Sequence, residues 1–235
     1  MLTKTLKAVM LFIAVFCASV VCADDLEDGL AAHKNKNYAV ALVKLKKAAA
    51  QGNAQAQFTL GTMYDGGQGV VQDFSEAAKW YKLVAGQGYS IAQFNLGNMH
   101  RSGKGVVQDY AEAARWYKLA AEQGLAQAQH TLGFMYANEQ GVVQDYSEAA
   151  KWWKLAAAQG HVIAQRNLGS IYGVGQGVAE DYVRSHMWFN LAAVKGDAEA
   201  VKSRGMIAEM MTTQQIAEAQ KLARECQARD YKNCD

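Results

Sequence analysis

Residues 96–124 read LGNMHRSGKGVVQDYAEAARWYKLAAEQG, and the same text returns along the chain with a period of 36 residues. Leu60-Gly61, Leu96-Gly97, Leu132-Gly133 and Leu168-Gly169 mark one point of the unit. Trp80, Trp116, Trp152 and Trp188 mark another, and Gly88, Gly124, Gly160 and Gly196 close it. A fixed period of roughly 20 to 50 residues identifies a repeat array, in which no unit can bury its apolar face without its neighbours.

Within the unit Asn53–Gly88, Ala56, Leu60, Met63 and Tyr64 fall at i, i+4, i+7 and i+8, one face of a helix. Gly66, Gly67 and Gly69 then stop it, because glycine reaches positive φ without a steric cost. Asp73 with Glu76 three residues on predicts a reciprocal cap for a second helix, and Asp109/Glu112 and Asp145/Glu148 repeat it. Ala77, Ala78, Trp80, Tyr81, Val84 and Ala85 form that helix's apolar face, and Gly88 stands where a helix ends in the left-handed region. Each unit is a helical hairpin, with the repeated tryptophan as the expected filler of the interface between units. Of the paired loop glycines, only the later one (Gly69, Gly105, Gly141, Gly177) recurs in every unit, since Glu139 replaces the earlier one in the third.

The combination AxAQxxLGxMY, GxGVxQDY and EAAKWYKLAAxQG resembles the Sel1-like repeat, a relative of the tetratricopeptide repeat. It covers four consecutive units, 53–88, 89–124, 125–160 and 161–196. Where such repeats carry proline in the segment before the Gln-Asp pair, this chain has Val71, Val107, Val143 and Ala179. The resemblance implies an all-α, right-handed superhelical solenoid that serves as a protein-interaction scaffold. A shortened unit at 26–52 precedes the full repeats, with Asn37 where Asp73 caps. A capping hairpin at 197–235 follows them, its last helix opening at Thr213. Residues 24–235 are read as a single repeat domain.

The first 23 residues read as a secretory leader: Lys4 and Lys7, an apolar run from Ala8 to Val21, and cleavage after Ala23. That run is shorter than the roughly 18–20 residues of a membrane anchor, and Val21 is bulky where a lipoprotein signal carries a small residue. Removing the leader takes two lysines from 24 basic residues and none from 22 acidic ones, leaving 22 against 22. That balance argues against nucleic acid as a partner, and the leader's loss leaves no stable membrane insertion. Cys17 and Cys22 leave with it, so Cys226 and Cys234 are expected to form one disulfide in a periplasmic or secreted protein.

Candidates for chemistry are few. His33, His100, His130, His161 and His186 form no His-x-x-x-His or Glu-x-x-His pair, and the sequence carries no Ser-x-x-Lys or Gly-x-Ser-x-Gly. No catalytic, metal or cofactor site is expected. A β-lactamase or penicillin-binding-like hydrolase is suggested only by the name of cysteine-rich relatives, whose repeats carry cysteine pairs that these lack. Positions that vary between units are more informative. In the architecture the resemblance implies, the side of the first helix opposite the Leu/Met face lines a concave groove. Reading along the stack gives Phe58, Phe94, His130, Arg166 and Lys202, then Asn98 and Phe134 one turn on, then Arg101. Aromatics flanked by cations are the composition of interface anchors. The expected function is an exported, non-enzymatic scaffold holding a protein or peptide of acidic character; a secreted effector that engages host proteins is the alternative. Nothing in the sequence specifies an oligomeric state.

Overall fold

The structure is a computed structural model that describes residues 24–234; the leader expected at 1–23 lies outside the described residues. Among the described residues there are twelve helices and no strand. One compact unit reaches to Gln108 and a second begins at Asp109. The first unit holds a helix over 24–34 (α1), Tyr38–Ala50 (α2), Ala54–Gly66 (α3), Phe74–Gly86 (α4) and Ser90–Ser102 (α5). The second holds Tyr110–Glu122 (α6), Ala126–Ala137 (α7), Tyr146–Ala157 (α8), Val162–Val174 (α9), Tyr182–Val194 (α10), Ala198–Ala208 (α11) and Thr213–Ala228 (α12). Within each unit successive helices pack in chain order, and α12 turns back onto α10. This is the all-α repeat solenoid that the periodicity implies.

The helices start where the caps place them. Asp73 Oδ1 accepts from the amides of Ser75 and Glu76 at 2.9 and 3.0 Å, Asp145 caps α8 in the same way, and Asp109 caps α6 through the Glu112 amide. Asn37 and Asn53 cap α2 and α3. Glu76, Glu112 and Glu148 were expected to reach back to the cap; they instead pair with Lys79, Arg115 and Lys151, one turn further along. A cation at i+3 outcompetes an amide that solvent can satisfy. The reciprocal cap forms at Thr212 and Gln215, so α12 is capped one residue before the expected Thr213.

The expected tryptophan is enclosed in the fourth repeat, Trp188 at 2% exposure, but in the first three the enclosed ring is its neighbour. Trp80, Trp116 and Trp152 are half-buried, whereas the residues after them are fully enclosed: Tyr81 at 2%, Tyr117 at 0% and Trp153 at 4% exposure. The Tyr81 and Trp153 rings lie on the Leu-Gly glycines of the first helices. A Cβ on Gly61 would stand 2.8 Å from the Tyr81 ring, and one on Gly133 would stand 2.6 Å from Trp153 Nε1. The glycine of Leu-Gly is therefore a seat for an aromatic ring. In the fourth repeat Phe189 takes the same place over Gly169.

A second device joins successive repeats. Gln57, Gln93, Gln129 and Gln165 are buried, and each Nε2 donates to a carbonyl near the end of the preceding helix: Ala49, Ala85, Ala121 and Ala157 respectively, at 3.0–3.3 Å. Gln87 and Gln159 donate in turn to Oε1 of Gln57 and Gln129, both at 2.8 Å. The amide ladder uses helix-end carbonyls that have no partner inside their own helix. At the C-terminus Cys226 and Cys234 form the expected disulfide, holding the tail against α12; closing so short a loop contributes about 2–3 kcal/mol.

Two stability predictions follow from these contacts. Tyr117→Ala should cost about 3–5 kcal/mol in denaturant unfolding, and Trp116→Ala clearly less; the reverse order would return the interface to the tryptophan. Gly141 (φ +71°) and Gly124 (φ +88°) both occupy the left-handed region, but a Cβ on Gly141 would lie 2.2 Å from the Tyr110 backbone and one on Gly124 would touch nothing. Gly124→Ala should cost about 1–2 kcal/mol, the left-handed penalty alone, and Gly141→Ala substantially more. Equal losses would show that the Gly141 contact relaxes freely.

Candidate functional site

The cores of the repeats are nearly interchangeable, so a site must come from the side chains that differ between them. In the first unit Phe58 and Asp65 project from α3, and Phe94, Asn98 and Arg101 from α5. Phe58 and Phe94 are half-buried, more enclosed than free anchors would be: the Phe58 ring leans on Tyr81 at a centroid distance of 5.7 Å. Beside them opens a recess of about 290 Å³ lined by Asp65, Tyr81, Asn95, Asn98, Arg101 and Lys104, among others. Tyr81 shares a side-chain hydrogen bond with Asn95, while burial, then the Asp65 carboxylate, push its hydroxyl well above the usual phenol range. It stays a neutral donor. The recess thus offers two cations, one carboxylate and two amides over an aromatic floor.

The expected set included Asn98 and Arg101 but missed Asn95 and Lys104. Lys104 carried a signal: it breaks a series in which Gln68, Gln140 and Gln176 occupy the same loop position. Its Nζ lies 5.3 Å from the Phe74 ring centroid.

In the second unit the expected residues divide. Phe134 is 41% exposed on α7, and Lys202 on α11 is open to solvent beside the exposed Met206. Arg166 is engaged internally: Nη1 donates to both carboxylate oxygens of Asp197 at 2.9 and 3.2 Å, and Asp197 also caps α11 through the Ala200 amide. Its role is to hold α9 to the start of α11. His130 stacks on His161 at 4.6 Å between centroids and 19° between planes, with Asn167 Nδ2 3.5 Å from its Nε2. Burial first, then the neighbouring His161 and Arg166, pull the His130 imidazole down to about 4. Burial lowers His161 as well, and its Nδ1 accepts from the Ala164 amide to cap α9, a role only the unprotonated nitrogen can fill. Of the four residues expected here, Phe134 and Lys202 remain as surface and the other two belong to the scaffold.

Four Sel1 repeats match family models, at residues 54–89, 90–125, 126–161 and 162–197. Among solved structures, a Sel1 repeat protein from Oxalobacter formigenes is similar at 36% identity and a TM-score of 0.71, over 74% of this chain and 72% of that one. A protein described as c5321, a protective antigen present in uropathogenic Escherichia coli strains displaying an SLR fold, is similar at 32% identity and a TM-score of 0.79. That alignment covers 91% of this chain, which spans 47% of the antigen's length. No curated protein matches the chain. No helix among the described residues is long and apolar enough to cross a membrane.

The histidine pair predicts an acid sensitivity. Both imidazoles titrate lower when folded than the ordinary 6.5, so the unfolded chain takes up protons first as pH falls. Stability is full above 6.5 and is lost as pH drops from 6.5 toward 4. Thermal melts across that window should show Tm falling, and His130→Asn with His161→Asn, which keeps an acceptor at the cap, should flatten the decline. An unchanged slope in the double variant would assign the acid loss to other groups.

Proposed function

Because the chain belongs to the Sel1 repeat family, whose solenoids commonly mediate protein–protein interaction and are typically non-enzymatic, we propose that it is an exported scaffold. Its partner, a protein or peptide of acidic character, docks on the exposed face of the first helices. The observation that carries this reading is the recess of the first unit, which Arg101 and Lys104 line together with Asn98 over the Tyr81 ring, while the side chains that recur in every repeat build the core. In the second unit Phe134 and Lys202 continue the same composition: an apolar ring to bury and a cation beside it. His130 and Arg166 support that face from beneath.

Export is supported by the leader at 1–23 and by a disulfide between the two cysteines that a cleaved chain retains. The effector alternative draws on one observation, the similarity to a protein described as a protective antigen. It requires the same surface and differs only in which side of the envelope the partner stands.

The test is affinity capture from envelope extract under non-reducing conditions, using the chain from Asp24 onward and an Arg101→Glu/Phe134→Ala variant. A partner retained by the parent and reduced about tenfold or more in the variant is the expected outcome. Undiminished capture by the variant would remove the first-helix face from the proposal.

A further inference from the structure

We infer that the face of α8 carrying Trp152 and Leu155 is a second docking surface, and that it takes an amphipathic helix of a partner protein whose apolar stripe contains small residues. This surface does not involve the first helices, so it stands apart from the scaffold reading above.

The observation comes from comparing α8 with α10, whose sequences align at the 36-residue period. Lys151, Trp152 and Leu155 on α8 correspond to Met187, Trp188 and Leu191 on α10. Leu155 is 50% exposed and Trp152 half-buried; Leu191 is 0% and Trp188 2% exposed. The difference is α12. It packs on α10, and Ala223 and Cys226 join Met187, Trp188 and Leu191 in one cluster, with Leu222 at its edge. The protein thus already contains one example of what covers this face of a second helix: an amphipathic helix approaching through alanines, which let its backbone come close. On α8 the same Trp-x-x-Leu face has no such cover. Leu119 on α6 is again exposed, at 44%.

A groove beside α8 is also preformed. Leu155 and Ala158 form one side of a recess of about 290 Å³, and Trp188, Tyr231 and Cys234 form the other, with Lys154 at its rim. The second wall is held in place by the disulfide and by Lys195, whose Nζ lies 4.0 Å from the Tyr231 ring centroid and donates to the Gly160 carbonyl at 3.0 Å. A helix lying along α8 would therefore meet a fixed apolar edge, which lowers the ordering cost of association. A second copy of this chain does not supply that helix from its own α12, because the Ala219/Ala223 stripe is already buried within its own fold.

The probe is a labelled synthetic peptide with the sequence of residues 212–228 carrying Cys226→Ser, titrated by fluorescence anisotropy into the full disulfide-bonded chain. Saturable binding is expected, weakened about tenfold or more by Leu155→Lys and unchanged by Phe134→Ala. Leu155 is half exposed, so the variant should keep the parent's far-UV circular dichroism and Tm; Leu155→Ala, expected to weaken binding in the same direction, serves as a second variant. Absence of saturation would overturn the inference. So would binding that Leu155→Lys leaves intact, since the peptide would then be replacing α12 on α10. Loss in Phe134→Ala would move the site to the first helices, and a concentration-dependent dimer blocked by Leu155→Lys would assign the face to a second copy; either result defeats the partner-helix reading.

Discussion

Everything in this fold depends on a place where no side chain can stand. At Gly69, Gly105, Gly141 and Gly177 the loop of one repeat comes down on the first turn of the second helix of the repeat before it. A Cβ at any of them would lie within 2.1–2.3 Å of that turn. The φ values of +70° to +72° at these positions are also reached most cheaply by glycine. Space and backbone conformation therefore make the same demand. Helix–helix packing tolerates slippage by small steps, but a backbone-to-backbone contact of this kind does not, so it sets the spacing from which the other contacts follow.

Given that spacing, the remaining periodic residues have assigned tasks. The buried glutamines bridge to helix-end carbonyls that also accept from the turn glycine three residues on, so each amide finds a buried partner where an unmet hydrogen bond is expensive. The Leu-Gly glycines admit the ring of Tyr81, Trp153 or Phe189, and the loop aspartates start the next helix. The ladder also shows where the array ends. Lys195 stands at the position of Gln87 and Gln159, and Gln165 Oε1 is left buried without a partner. Lys195 repeats the bond that Gln159 makes to Gly124, donating to the Gly160 carbonyl, and adds the Tyr231 ring, tying the last repeat to the disulfide-closed tail. The last repeat thus lacks the amide–amide bond that Gln87 and Gln159 make within their own repeats and gains a contact to its cap.

Electrostatics separate scaffold from surface more sharply than composition does. Lys79, Arg115 and Lys151 form exposed i,i+3 pairs of small energetic weight. Arg166, by contrast, meets a nearly buried Asp197 that is itself a helix cap, so one carboxylate serves two structural roles. Asp25, similarly buried, is held below the usual carboxylate range by Lys44, which also contacts Asp28. The first pair joins α9 to the start of α11 and the second joins α1 to α2. Lys104 breaks the Gln68/Gln140/Gln176 series and lies over the Phe74 ring, and Lys202 is exposed on α11.

The sequence by itself determined the repeat length, the helix starts at Asn37, Asp73, Asp109 and Asp145, the obligatory loop glycine and the disulfide pair. Each of these is a local matter of backbone conformation, hydrogen-bond capacity or short spacing, and needs no knowledge of what lies across the interface. The tertiary structure decided which of two adjacent aromatics is enclosed, because Trp80 and Tyr81 differ by one residue on a helix and the Gly61 seat receives the second of them. It also decided that Arg166 belongs to Asp197 and that His130 stacks on His161, contacts made across about 30 residues of chain. Leu155 and Leu191 make the point most directly. They hold the same position of the 36-residue unit, each three residues after a tryptophan and before two alanines, yet one faces solvent and the other is sealed, and α12 packs on α10.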